Sequence, residues 1–300
     1  MDEPLVRQII APVDTLDTSK QALAYARLFA DHFGAKITLL HAEDVPIPFG
    51  TLDPLTVYEP LTAAEEGEIA EQIRVYAADR LAGEPFDVLV VSGHPARVIA
   101  AAARKRGADL IIMGTHARRG WRRALTGSVA ETVLRTAASP VLVVPLLAAS
   151  GTATPRITRI VCPINFSDVA RDALRTATRI AGQFGAELIV VHVSEGFADC
   201  DSQLDKQFRT WVGSDLGKIG SVRELMLRGG AAERVLDCVE DVDADLLVMG
   251  TQQKRFSNET VIGSTSERLL RFSNVPILTV VRALARVTIE EPVPVTPAFA

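Results

Sequence analysis

Five short runs of unbroken hydrophobicity, Arg7–Val13, Lys36–Ala42, Phe86–Val91, Asp109–Gly114 and Val141–Val144, punctuate the first half of the chain. Each is rich in Val, Ile and Leu and continuous rather than alternating, the pattern of strands covered on both faces in a parallel sheet. Between them the apolar positions recur at helical spacing. Leu23, Ala26, Ala30 and Phe33 mark a helix over about 19–33, and further helices are predicted over about 62–82, 95–106 and 127–138. The alternation βαβαβαβαβ predicts a doubly wound α/β domain.

The same pattern then repeats. Phe33-Gly34-Ala35 followed by Ile37-Thr38-Leu39-Leu40-His41-Ala42 returns as Phe184-Gly185-Ala186 followed by Leu188-Ile189-Val190-Val191-His192-Val193, and Pro12 returns as Pro163. Ala108-Asp109-Leu110-Ile111-Ile112-Met113-Gly114-Thr115 returns as Ala244-Asp245-Leu246-Leu247-Val248-Met249-Gly250-Thr251. Self-matches at a fixed offset identify an internal duplication. The offset shortens after the second strand, where copy two lacks the Pro/Gly-rich stretch around Val45-Pro46-Ile47-Pro48-Phe49-Gly50, which reads as a surface loop. The expected organisation is two tandem doubly wound domains over residues 1–146 and 157–285, a linker over 147–156 made of small and turn residues, and a Pro-rich tail over 286–300.

Length agrees with two domains, since 300 residues exceed the usual single unit of about 100 to 200. The net charge of -5 is spread over both halves and argues against a nucleic-acid partner, which calls for a basic surface. No apolar run reaches the roughly 18 residues of a membrane span, and the first residues lack the pattern of a signal peptide, so a cytoplasmic protein without a membrane partner is expected. Cys162, Cys200 and Cys238 form no Cys-x-x-Cys pair, and the five histidines show no metal-ligand spacing. Reduced thiols and no metal site follow.

Ligands of open parallel sheets bind past the carboxyl ends of the strands, so the chemistry is sought there. The first strand closes on Pro12-Val13-Asp14, and the fourth runs through Met113-Gly114-Thr115-His116-Ala117 towards Gly127-Ser128. Small residues allow backbone N–H groups to approach a ligand, and a helix starting at Gly127-Ser128 offers unpaired N–H groups to an anion. A Walker A loop is absent. Arg118, Arg119, Arg122 and Arg123 read equally as a polyphosphate clamp or as a solvated loop, while Asp14 reads as a ligand group or as a turn cap. No Ser-His-Asp or Cys-His set is discernible.

In order along both halves, these motifs resemble the universal stress protein family, specifically its tandem members. The resemblance rests on Pro12-Val13-Asp14, His41, Gly93-His94-Pro95-Ala96 leading to Ile99, Met113-Gly114-Thr115-His116, Gly127-Ser128-Val129-Ala130-Glu131 and Ser139-Pro140-Val141. It implies a five-stranded parallel sheet of order 3-2-1-4-5 in each domain. It also implies an adenine nucleotide, ATP foremost, with Mg2+ left open, at Pro12, Val13, Asp14, Ala42, Gly93, Met113, Gly114, His116, Ala117, Gly127, Ser128 and Val129. Asp14 and Ala42 would address the nucleoside, Gly93 the ribose region, and Gly114, Gly127, Ser128 and Val129 the phosphates.

The family's Gly-x-x-Gly-x9-Gly-[Ser/Thr] reads Gly114-x-x-Ala117-x9-Gly127-Ser128 in copy one and Gly250-x-x-Gln253-x9-Gly263-Ser264 in copy two, both without the middle glycine. Copy two also has Asn165 in place of Asp14 and lacks the proline after Gly229. Its residues Pro163, Asn165, Val193, Gly229, Gly250, Gly263, Ser264 and Thr265 therefore form the weaker expected site. The resemblance implies a stress-response role that is signalling or protective rather than catalytic. The alternative is an interaction module whose sites have decayed. Pairing of the two domains through their final strands is expected, and a homodimer is left open.

Overall fold

The computed structural model describes residues 4–14, 19–43, 61–115, 129–146, 155–194, 202–216, 219–251, 254–256, 259–261 and 263–281. Its first half alternates β1 (Gln8–Pro12), α1 (Lys20–Phe33), β2 (Lys36–Glu43), α2 (Ala63–Leu81), β3 (Phe86–Ser92), α3 (Pro95–Arg106), β4 (Leu110–Gly114), α4 (Val129–Thr136) and β5 (Val141–Val144). The second half runs β6 (Arg159–Ile164), α5 (Asp168–Phe184), β7 (Glu187–Ser194), α6 (Ser202–Gly213), β8 (Val222–Arg228), α7 (Ala231–Asp241), β9 (Leu246–Thr251), α8 (Ser264–Phe272) and β12 (Ile277–Val281). Between β9 and α8 it adds a hairpin of β10 (Lys254–Phe256) and β11 (Glu259–Val261), a stretch that carries no strand period in the sequence.

Ten strands form one sheet in the order β3-β2-β1-β4-β5-β12-β9-β6-β7-β8. Within each half the pairing is parallel, and the halves join where β12 runs antiparallel to β5, with Leu278 opposite Leu142. The junction is dry: Leu142 and Leu278 are buried, and the Thr279 hydroxyl donates to the Val141 carbonyl at 3.2 Å. The pairing of the two final strands expected from their apolar character thus occurs within one chain. It covers the edge that each half would otherwise expose to another strand.

The central strands are buried on both faces, as their unbroken hydrophobicity requires, while the edge strand β8 is largely exposed. Leu23 and Phe29 of α1, Ile73 of α2, Leu174 of α5 and Phe208 of α6 share one core. Ile99 of α3, Val133 of α4, Val235 of α7 and Leu269 of α8 share the other. At the edge of the junction α1 meets α5: the Phe184 ring stacks on His32 at 4.1 Å and lies 5.5 Å from Phe29 and 6.0 Å from Phe33.

The repeated Ala-Asp motif has a structural cause. Asp109 Oδ2 accepts the Arg7 and Gln8 amides at 2.8 and 3.0 Å, and Asp245 Oδ2 accepts those of Thr158 and Arg159 at 2.7 and 3.0 Å. In each half one carboxylate before the fourth strand holds the start of the first, satisfying the amides at the opening of the strand.

Candidate functional site

Strand order reverses between β1 and β4, and past their carboxyl ends lies a cavity of about 190 Å³. Of the residues expected there, Pro12, Val13, Asp14, Ala42, Met113, Gly114 and Val129 line it. Gly93 does not. It turns the chain at φ 137°, a conformation open to glycine, and the turn brings Pro95 and Ile99 of α3 to the cavity instead. His116, Ala117, Gly127 and Ser128, together with the arginines of 118–123, lie outside the described residues, as do Cys200, Gln253, most of the expected linker and the expected tail.

Leu40, Ile99 and Met113 give the cavity an apolar character, and Asp14 brings a carboxylate to it. Ser19, another lining residue, is buried, and its hydroxyl donates to Asp14 Oδ1 at 2.7 Å while accepting the Asp14 amide at 3.1 Å. Asp14 therefore helps close the connection from β1 to α1 as well as facing the cavity, so its two readings from sequence are compatible. His41 also lines the cavity, but Val13 O stands 3.0 Å from its Nδ1 and Glu43 Oε2 stands 3.0 Å from its Nε2. With both nitrogens engaged elsewhere, the imidazole is not disposed to take a proton from Ser19, and the trio is not a nucleophile–base–acid relay.

The second half has a corresponding cavity of about 150 Å³, lined by Pro163, Asn165, Val193, Gly250 and Thr265 among others. Gly229 turns at φ 123° behind it, Gly263 is the N-cap of α8, and neither these nor Ser264 line it. Asn165 Oδ1 accepts the Ser167 hydroxyl at 2.6 Å and the Ser167 amide at 3.3 Å, and Ser167 in turn caps α5 by accepting the Ala170 amide at 3.3 Å. Phe166, between them, is held at φ 59°, a strained conformation for an aromatic residue, with its ring 4.6 Å from His192 and at right angles to Trp211.

Gly250, which lines this cavity as expected, also has a packing reason to be glycine. A Cβ at this position would stand 2.5 Å from the Val169 carbonyl oxygen and 3.0 Å from the Ala170 amide nitrogen. The glycine admits the first turn of α5 against β9, so backbone packing alone requires it. Cys162 on β6 is equally structural: burial pushes its thiol up to about 12, far from a reactive thiolate.

Sequence reasoning missed Ser19, Leu40, Pro95, Ile99 and Ala130 as lining residues. Apart from Ser19, these are apolar side chains at helical or strand positions, with nothing in the sequence to separate a cavity wall from ordinary core. Among the described residues no group of three His, Cys, Asp or Glu side chains is placed to hold a metal, and no helix is long and apolar enough to cross a membrane.

A cavity past the strand ends at the crossover is where open doubly wound α/β sheets hold ligands. The family model of the universal stress proteins matches residues 6–145, 156–208 and 213–281, and the chain belongs to that family. A universal stress protein of Methanocaldococcus jannaschii is 36% identical over 145 residues, covering 47% of this chain and 84% of that protein. One of Thermus aquaticus is 33% identical over 141 residues, covering 47% of this chain and 99% of its own length. A relative matched over most or all of its length thus accounts for about half of this chain. In fold, the chain is similar to a universal stress protein of Archaeoglobus fulgidus, with a TM-score of 0.68 at 24% identity over 92% of this chain and 96% of that one. It is also similar to a putative universal stress protein of Pseudomonas aeruginosa, with a TM-score of 0.64 at 19% identity over 92% and 93%.

Proposed function

We propose that this member of the family is a cytoplasmic stress-response protein that holds an adenine nucleotide, ATP foremost, in the cavity of its first half without turning it over. The observation that carries the reading is the convergence of Asp14, Ala42, Met113, Gly114 and Val129 on one cavity at the strand-order crossover. Its 190 Å³ is below the roughly 300–1,000 Å³ of sites that enclose a whole drug-sized ligand. That size suits a heterocycle against Leu40, Ala42 and Met113, a sugar hydroxyl at Asp14, and phosphates extending outward past Gly114 towards the start of α4. Exposed phosphates fit a protein that carries or senses a nucleotide.

The polar geometry supports a holding rather than a catalytic role. Among the described residues, Ser19 is committed to Asp14, and His41 to Val13 and Glu43, so neither is set up as an activated nucleophile. Mg2+ would arrive with the phosphates, since Asp14 is the one carboxylate among the described lining residues and Mg2+ keeps several waters when it meets so few protein ligands.

The second half has the weaker case. Asn165 is occupied by the Ser167 turn and cannot offer a charge, and Gly250 is explained by packing. Its role is that of a fused partner that completes the sheet at β5. Two measurements test the proposal: mass spectrometry of small molecules released from freshly purified protein, and calorimetry with ATP. Released adenine nucleotide or saturable heat supports it. No nucleotide and no heat at millimolar ATP refutes it.

A further inference from the structure

One corner of the fold carries opposite charge in the two halves. In the first, α3 ends on Arg104, Lys105 and Arg106, all exposed, and closes on Gly107 at φ 61°. In the second, α7 ends on exposed Glu240 and Asp241, and exposed Asp243 at φ 44° stands where the repeat places Gly107. Cations suit the carboxyl end of a helix and anions oppose it, so the basic corner agrees with its local structure and the acidic one does not.

Beside the acidic corner opens a cleft of about 400 Å³, larger than either strand-end cavity. Leu236, Val239, Phe272 and Val275 give it an apolar lining, and Glu240 and Asp243 bring carboxylates to it. Phe272 is 45% exposed, a phenyl ring left nearly half in water on an apolar surface. The repeat aligns these four apolar residues with Ala100, Ala103, Thr136 and Ser139, small or polar side chains in a half of the same fold. The apolar lining is therefore not demanded by the architecture. Asp245 is taken up by the Thr158 and Arg159 amides, and the Arg159 guanidinium reaches Asp243 at 3.8 Å, which leaves the acidic character of the corner to Glu240 and Asp241.

We propose that this cleft receives the basic end of α3 from a second copy of the chain. The aliphatic stems of Arg104, Lys105 and Arg106 would lie on Phe272 and Leu236 while their charged heads meet Glu240 and Asp241. Because β12 runs antiparallel to β5, the ends of α3 and α7 point to opposite ends of the molecule. Each copy therefore offers a basic corner at one end and an acidic corner at the other, and copies join head to tail. The inference is independent of nucleotide binding.

The test is sedimentation equilibrium on the full chain and two charge variants. One carries Arg104→Glu, Lys105→Glu and Arg106→Glu; the other carries Glu240→Lys, Asp241→Lys and Asp243→Asn, asparagine being tolerated at a left-handed backbone. All six positions are exposed, and thermal melts of each variant verify folding. Wild type associates at about 0.01 M salt, where the screening length is ~30 Å, and dissociates at about 1 M, where it is ~3 Å. Each variant alone stays monomeric, and an equimolar mixture of the two regains association, since every corner then meets its opposite. A monomeric wild type at low salt overturns the proposal and leaves the cleft to another partner. So does a variant that associates like wild type, or a mixture no heavier than its parts.

Discussion

The Ser19 hydroxyl and the Asp14 carboxylate are joined at 2.7 Å across the connection from β1 to α1, so the side chain expected to meet the ligand is held by the residue that opens the next helix. Hydrogen bonds to charged groups contribute about 1.5–3 kcal/mol, and tenfold in affinity corresponds to about 1.4 kcal/mol. Ser19→Ala should weaken ATP binding by about three- to tenfold by freeing Asp14 to wander, and Asp14→Ala should weaken it by about tenfold or more. Calorimetry on both variants checks the order. Equal affinity in wild type and Asp14→Ala would contradict a role for Asp14 at the ligand.

Gly250→Ala should lower stability by about 1–3 kcal/mol, the usual penalty for forcing atoms into a packed site, because the new methyl group meets the Val169 carbonyl. Gly182→Ala is the control. Gly182 lies exposed within α5, its Cβ would approach Ile219 only to 3.6 Å, and alanine favours helix by up to about 1 kcal/mol over glycine. Urea midpoints should therefore move in opposite directions. A neutral Gly250→Ala would return that glycine to a ligand-based explanation.

These two glycines illustrate what a sequence can and cannot show. The strands were legible because burial on both faces imposes continuous apolar runs, and the duplication because the Phe-Gly-Ala and Ala-Asp motifs serve the same local purpose in each half. The packing role of Gly250 was not legible, because a glycine needed by a packed helix looks the same in sequence as one needed by a phosphate. Pro95 and Ile99 were missed as cavity walls for a related reason: an apolar side chain does not declare whether it meets core or ligand. The β10–β11 hairpin escaped because three-residue strands are too short to show a period. Opposite charge at Lys105 and Asp241 was visible in the sequence, but only the antiparallel joining of the halves gives it geometric meaning.

Phe184→Ala should loosen the contact between the halves. Its ring packs against His32, Phe29 and Phe33, and large-to-small changes at aromatic core positions cost about 3–5 kcal/mol, less at this half-buried site, about 2–3 kcal/mol. Urea unfolding followed by circular dichroism should shift its midpoint down and broaden towards two transitions. An unchanged curve would mean that the β5–β12 ladder alone unites the halves.

Tyr25 reports through pH on the approach of the two halves. Burial, with a smaller contribution from the Asp245 carboxylate of the other half, pushes its phenol up from 10.0 to about 12. The folded state therefore keeps its proton where the unfolded state has lost it. The resulting stability is fully present below about pH 10 and is lost as pH rises through about 12. Absorbance titration at the tyrosinate band should show a late-ionising step in native protein that Tyr25→Phe removes. In Phe184→Ala that late step should move towards 10 as water reaches the contact.

The central claim is one nucleotide site per chain, in the first half, and the stoichiometry of ATP binding tests it most directly. Ala42→Trp fills the first cavity and Val193→Trp the second. Calorimetry on wild type should give one equivalent of ATP per chain, abolished by Ala42→Trp and retained by Val193→Trp. Two equivalents, or binding lost only with Val193→Trp, would contradict the account.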